Sequence, residues 1–302
     1  MNHPRVTGVC PVVETPFTPD GAIDIPSFER LIDRLLAAGI RSVMYPGFAS
    51  EFYKLSDAER DQLTEILIER MHRVHGTVVV VSVPDHSTAL AVARARRAVA
   101  LGADLVNILP PHLHGPSTSA VQDHVREVLA AIDPTPAILQ YAPAQTGTAL
   151  SAATISQAAA AAPNLVQVKV ESAPPGQLIA ALHGEDPALD SVVGYAGVQL
   201  IDALRRGAVG VQPGSSFAEI YLRIWHAWEN GDRDAAVRLH TRLLPYISYW
   251  MQSIELIIAA EKRISMLRGM IDTDVCRAPA RTLDAEERAM IDRFLEEFAD
   301  LL

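Results

Sequence analysis

The sequence predicts an α/β protein, a (β/α)8 TIM barrel with a C-terminal helical appendage. Three observations predict it. Short apolar runs alternate eight times with amphipathic stretches of helical period. The junctions Gly39-Ile40-Arg41-Ser42-Val43, Gly102-Ala103-Asp104-Leu105-Val106 and Gly207-Ala208-Val209-Gly210-Val211 each read as helix end, glycine, then strand. Glycine there supplies the left-handed conformation that closes a helix before a short turn. Beyond Phe217 the strand signals stop and only helical periods remain. Residues 1–230 are therefore expected to form the barrel and residues 231–302 a helical domain.

In chain order, Val9–Thr15 opens as strand one, and Pro26–Ala38 is the first helix. Ser42–Pro46 is strand two. Ser56, followed by Glu59, has the spacing of a capping box and starts a helix over Asp57–Val74. His72 and His75 fall at its end, where cations suit the helix dipole. Thr77–Ser82, Leu105–Leu109 and Ala137–Tyr141 are strands three to five, separated by helices at Ser87–Leu101 and Ser119–Ile132. Ser151–Ala161 leads to strand six, Leu165–Lys169. Gly176–Leu182, Ser191–Val193, Val198–Arg206 and Val209–Gln212 complete the alternation, and Phe217–Glu229 is the last barrel helix. Asp232–Trp250, Ser253–Leu267 and Ala285–Leu302 make the appendage. An open doubly wound sheet is the alternative, but Gly8-Val9-Cys10-Pro11 is not the glycine-rich fingerprint that such a sheet carries after its first strand.

Composition narrows the function. The chain has 302 residues, is 49% hydrophobic and carries a formal charge of −10, which argues against a nucleic-acid partner. No apolar run is long enough for a membrane span, and the N-terminus lacks a secretory pattern. Cys10 and Cys276 match no metal or disulfide spacing and read as two thiols in a cytoplasmic protein.

The chemistry centres on Lys169. Only three lysines occur, Lys54, Lys169 and Lys262, and arginine carries the other positive charge. Lys169 ends an apolar strand, Leu165-Val166-Gln167-Val168-Lys169-Val170. Arginine would serve there for a salt bridge but cannot form an imine. A desolvated lysine at a strand end can lose its proton and attack a carbonyl. Active sites of such barrels lie at the C-terminal strand ends. Tyr141 ends strand five. By alternation Leu165, Gln167 and Lys169 share one face and Ala137, Leu139 and Tyr141 share another; if both point inward, phenol and amine meet. After strand two, Pro46-Gly47-Phe48-Ala49-Ser50-Glu51 offers backbone amides and the Ser50 hydroxyl to a small carboxylate.

These residues together resemble the dihydrodipicolinate synthase / N-acetylneuraminate lyase family. Thr15-Pro16-Phe17, Asp20-Gly21 and Ile23-Asp24 resemble its opening. Gly47 to Glu51, Leu55-Ser56 and Glu59-Arg60 resemble its carboxylate loop. Tyr141-Ala142-Pro143 with Thr146-Gly147 resembles its tyrosine motif, Lys169 its Schiff-base lysine, and Glu261-Lys262 with Arg277-Ala278-Pro279 its C-terminal helices. The resemblance implies an imine between Lys169 and a 2-oxo acid such as pyruvate, with Tyr141 as proton shuttle and Ala49 and Ser50 on the carboxylate. It also implies no metal or organic cofactor and a homotetramer, a dimer of dimers.

Departures bear on the substrate. The loop lacks the family's paired threonines, Gln145 replaces an arginine in a segment one residue shorter, and His112 stands where the synthase borrows a tyrosine across an interface. These three changes argue against 4-hydroxy-tetrahydrodipicolinate synthase activity. The strand-seven end, Gly194-Tyr195-Ala196-Gly197, is expected to line the pocket. His112 and His114 have no third ligand at matching spacing, so His112 reads as a substrate contact or general acid rather than a metal ligand. The expectation is a Schiff-base lyase (aldolase). The alternatives are a dehydratase or deaminase of the same family, and a catalytically silent keto-acid-binding barrel.

Overall fold

The computed structural model describes residues 3–111, 113, 115–147, 149–185 and 189–302, and of Gln145 the backbone alone. The strands are β1 Gly8–Val9, β2 Ser42–Tyr45, β3 Val78–Val83, β4 Leu105–Ile108, β5 Ala137–Tyr141, β6 Leu165–Val170, β7 Asp190–Val193 and β8 Gly210–Val211. The helices are α1 Ile25–Ala38, α2 Asp57–Met71, α3 Thr88–Leu101, α4 Thr118–Ile132, the single turn α5 Pro143–Thr146, α6 Ala152–Ala161, α7 Gly176–Gly184, α8 Leu200–Arg205, α9 Ala218–Glu229, α10 Arg233–Trp250, α11 Ile254–Leu267 and α12 Ala285–Glu297. The strands form one sheet in the order β1-β8-β7-β6-β5-β4-β3-β2. Sequential strands separated by helices are the (β/α)8 barrel class.

Local signals explain most boundaries. Gly39, Gly102 and Gly207 all take positive φ at the three expected junctions. Ser56 and Glu59 form the capping box of α2, and His72 is its C-cap residue. Ser151 caps α6 by accepting from Thr154 N, whereas Ser87 takes the N-cap position of α3 without a side-chain bond. Strand one is shorter than Val9–Thr15. Pro11 has no N–H to give to a ladder, and the chain resumes pairing only as single bridges from Val12 to Met44 and Gly214.

Packing divides the chain into two compact units, Met1–Thr7 with Val78–Gln212, and Gly8–Thr77 with Pro213–Leu302. In the first, β3 to β8 pair in parallel. All six residues of β6 are buried, as its near-continuous apolar run requires. The Gln167 side-chain amide accepts from Val6 N and donates to Val6 O, both at 2.8 Å, so this polar group is satisfied by the N-terminal segment.

In the second unit, α1 buries Phe28, Leu31, Ile32 and Leu35 at helical spacing, and Asp24 caps it by accepting from Ser27 N at 3.1 Å. Helices α10 to α12, the expected appendage, belong to this unit. Their core is an aromatic knot. Phe294 lies with its ring centroid 5.1 Å from Phe217, 5.2 Å from Trp250 and 5.0 Å from Phe298. Edge-on and tilted pairs of this kind add about 0.5–1.5 kcal/mol each beyond burial.

Candidate active site

In the first unit Lys169 stands at the end of β6, 4% exposed. Its Nζ lies 3.3 Å from Oε1 of Glu171. Two residues apart at the strand end, these side chains leave the same face.

The partner of Lys169 on β5 is Gln140, not Tyr141. Ala137 pairs with Leu165, but the next residue, Ile138, pairs with Gln167; the register slips by one there. Val166 is the unmatched residue of a β-bulge. Without the slip, alternation would set Tyr141 against Lys169, as the sequence suggests. With it, Gln140 pairs with Lys169 and Tyr141 with Val170. A one-residue slip exchanges the faces of every following side chain. The Tyr141 hydroxyl accepts from Leu150 N at 3.3 Å.

Gln140 begins a hydrogen-bonded line across the strands. Its Nε2 donates to Glu171 Oε2 at 2.6 Å. Its Oε1 accepts from Asn107 Nδ2 at 2.8 Å, and the same Asn107 amide donates to Ser82 Oγ at 2.9 Å. Each of these four residues comes from a different one of β3 to β6 or its immediate end. Gln140 and Asn107 are 2% and 0% exposed, so their bonds are made where water cannot substitute.

Glu171 is held from β7 as well. Tyr195 N points at Oε1 from 3.4 Å. Tyr195 and the following Ala196 have φ of 51° and 48°, a left-handed conformation that costs non-glycine residues about 1–2 kcal/mol each. Gly194 leaves room for the carboxylate: a Cβ on it would lie 2.2 Å from Glu171 Oε1. Sequence reading missed Glu171 and Gln140. For Glu171 a signal existed, its two-residue spacing from Lys169. For Gln140 none existed, because nothing local announces the bulge.

The loop after β2 belongs to the second unit. The Ser50 hydroxyl donates to Val13 O at 2.5 Å and accepts from Gly47 N at 2.9 Å. Ser50 N donates to Gly47 O, and Ser50 O accepts from Thr15 Oγ1 at 2.8 Å. The hydroxyl proton expected to meet a carboxylate is therefore directed at the backbone that follows β1. Ala49 is half-buried in the same 3-10 turn. Gly47 is required by close approach, since a Cβ would fall 2.7 Å from Val12 Cγ1.

Next to this loop the C-terminal motif residues prove to be structural. Glu51, 0% exposed, meets the Lys262 ammonium, Lys54 Nζ at 3.1 Å and Arg277 N at 3.1 Å. Lys262 also donates to Val275 O at 2.9 Å and sits 4.2 Å from the centre of the Phe17 ring. The Arg277 guanidinium holds Glu59 at 2.7 Å, and with it the start of α2.

Two further carboxyls are buried here. No oxygen of the Glu14 carboxyl has a hydrogen-bond partner of good geometry among the described residues. Burial pushes Glu14 from 4.5 up to about 7, with Ser265 and the Lys262 charge pulling the other way. Burial, and then the Glu14 charge, push Glu261 from 4.5 up to about 8. Below pH 4.5 both groups are protonated whether folded or not. As pH climbs from 4.5 through 7 and 8, the unfolded chain releases protons that the fold retains, so stability falls across that window and levels off above it. For Glu14 the displacement is worth roughly 3 kcal/mol. Urea midpoints at pH 5 and pH 8 should show the wild type losing several kcal/mol more than Glu14→Gln/Glu261→Gln; parallel losses would refute the assignment.

Of the remaining expected contacts, Gly194 lies at the Glu171 carboxylate, and Gln145 lies in α5. His112 falls outside the described residues, as does His114. Cys10 and Cys276 form no disulfide. No described helix is long and apolar enough to cross a membrane.

The fold is a (β/α)8 barrel with a buried lysine and carboxylate paired at the end of its sixth strand, the end at which barrel enzymes carry their reactive groups. The chain belongs to the dihydrodipicolinate synthetase family, whose model matches residues 5–298, and is a lyase of that family. It is 30% identical over 291 residues to L-2-keto-3-deoxyarabonate dehydratase of Azospirillum brasilense, covering 95% of this chain and 92% of that one. The fold superposes on dihydrodipicolinate synthase from Rhodopseudomonas palustris with a TM-score of 0.89 at 26% identity, covering 96% and 97% of the two chains. Proteus mirabilis N-acetylneuraminate lyase shares the fold at 21% identity, with a TM-score of 0.86 and coverage of 99% and 100%.

Proposed function

We propose that this lyase forms an imine between Lys169 and the ketone of a 2-oxo acid, the substrate being an unphosphorylated 2-oxo-3-deoxy sugar acid. The observation that carries the reading is the near-complete burial of Lys169 within reach of Glu171. A lysine at such a position needs a purpose that arginine cannot serve. Once formed, the protonated imine is an electron sink for the neighbouring carbon. It permits cleavage or formation of a C–C bond with pyruvate as partner, or loss of a hydroxyl as water. Relatives are named for both courses: one of 30% identity over 95% of this chain is named a dehydratase, and others are named aldolases. The same proposal includes a metal-free reaction in a cytoplasmic homotetramer.

Borohydride reduction in the presence of pyruvate tests the imine. A pyruvate-sized adduct is expected on Lys169 by peptide mass mapping, and none in Lys169→Arg. An adduct on another residue, or none in the wild type, would overturn the reading. L-2-keto-3-deoxyarabonate then separates the two outcomes: release of pyruvate marks an aldolase, and an unbroken, dehydrated chain marks a dehydratase.

A further inference from the structure

We propose that the second unit binds a hard divalent cation between helix α11 and the segments that follow β1 and β8, held by oxygen alone through Glu14, Glu261, Ser216 and Ser265. The ion belongs to the fold of that unit. No step at Lys169 passes through it, so the inference stands apart from the imine.

Three segments of the second unit bring these four side chains together. Glu261 and Ser265 are one turn apart on α11, a spacing that puts them on the same side of the helix. Ser216 lies beside the Glu261 carboxyl, as do the backbone N–H groups of Ser215 and Ser216. Glu14 N points at Ser215 Oγ from 3.4 Å. The Glu14 carboxyl lies beside Ser265, within the field of Glu261. Gly214 makes the room: a Cβ there would overlap both oxygens of the Glu261 carboxyl. Exposure is 1% for Glu14, 3% for Glu261 and 0% for Ser216 and Ser265.

Five oxygens of this cluster have no hydrogen-bond partner of good geometry among the described residues. They are both oxygens of Glu14, Oε2 of Glu261 and the hydroxyls of Ser216 and Ser265. Buried polar atoms are seldom left so, and several together mark a species that the protein binds. Each of the five presents lone pairs, so one cation serves them all.

Charge points the same way. Lys262 and Lys54 sit on Glu51, Lys54 also on Glu255, and Arg268 on Glu219. Lys262, Lys54 and Arg268 thus face three other carboxylates, and neither Glu14 nor Glu261 shares in these pairs. Burial lifts Glu14 to about 7 even with the Lys262 and Arg268 charges nearby. A divalent ion neutralises the two remaining carboxylates. The donors include no imidazole and no thiolate. Carboxylate and hydroxyl oxygens suit calcium, magnesium or manganese rather than zinc or copper.

The test is thermal unfolding of the full chain at pH 8, stripped with chelator and then titrated with CaCl₂, MgCl₂ or, at equal ionic strength, KCl. An ion that binds only the folded state raises Tm with its concentration. Ca²⁺ or Mg²⁺ at a hundredfold excess over half-saturation should raise the wild-type Tm by about 5 °C. Calorimetry should count one ion per chain. Glu14→Gln/Glu261→Gln, which removes both charges, should move by less than about 1 °C. Ser216→Ala and Ser265→Ala keep the carboxylates and should each need at least about tenfold more metal for the same rise. No rise with either divalent ion overturns the proposal and leaves the cluster to protons. An equal rise in wild type and double variant places the ion elsewhere and overturns it too. A rise with KCl as large as that with CaCl₂ is a salt effect and has the same consequence. Should the double variant not fold, the serine variants decide: an unchanged metal requirement in both refutes the site.

Discussion

Gly194→Ala is expected to abolish most activity while leaving the fold intact. A single methyl at this position would sit 2.2 Å from Oε1, 2.4 Å from Cγ and 2.6 Å from Cδ of Glu171. Ordinary carbon contacts are 3.5 Å or more. The backbone itself tolerates alanine, because Gly194 has φ −95°. The relief of the overlap therefore falls on the flexible glutamate side chain, which must swing away from Lys169 and from Tyr195 N. Displacing a carboxylate by an ångström or more removes near-attack geometry, and losses on the order of 10²-fold follow from misplacements of that size. The expected result is a kcat reduced about 10²–10³-fold with little change in KM, and pyruvate trapping slowed by the same factor. Circular dichroism should match the wild type. A variant with kcat within about threefold of the wild type would show that the position of Glu171 does not matter.

Lys262→Met is expected to destabilise the second unit strongly. The ammonium is buried at 1% exposure against Glu51 at 0%. Removing one member of a buried pair strands the other charge, at a typical loss of 3–5 kcal/mol. Lys54 and Arg277 N still touch Glu51, which limits the loss to the lower part of that range. The buried Glu14 carboxyl also loses the cation that favours its ionised form. Urea unfolding should show a lower midpoint with an unchanged slope, since the surface exposed on unfolding is the same. Adding Glu51→Gln should return a large part of the lost stability, because a neutral polar pair carries far less desolvation penalty than a lone charge. A loss below about 1 kcal/mol for Lys262→Met would contradict the structural role given to this motif.

These two expectations concern residues that the sequence had already marked, but for different reasons than the structure supplies. Gly194 stood out as part of a glycine-rich strand end. Its purpose becomes visible only with the Glu171 carboxylate lying across it. Glu51, Lys262 and Arg277 stood out as motif residues. In the fold they are a bracket: a buried carboxylate tied to two lysines and a backbone amide, with the guanidinium clamped on Glu59. The Ser50 hydroxyl, assigned from its residue type to a ligand, is consumed by Val13 O.

The sequence by itself determined the order of strands and helices, the caps at Ser56 and Gly102, and the rare lysine at the end of β6. Each of these follows from side-chain period, local backbone preference or a residue's intrinsic chemistry, all of which act within a few positions along the chain. Which side chain faces that lysine was decided by the tertiary structure alone. Facing depends on register between two strands, and the bulge at Val166 shifts that register by one residue, exchanging Tyr141 for Gln140. Register is a contest between whole strands for burial, so no window of sequence short enough to read by pattern contains its outcome.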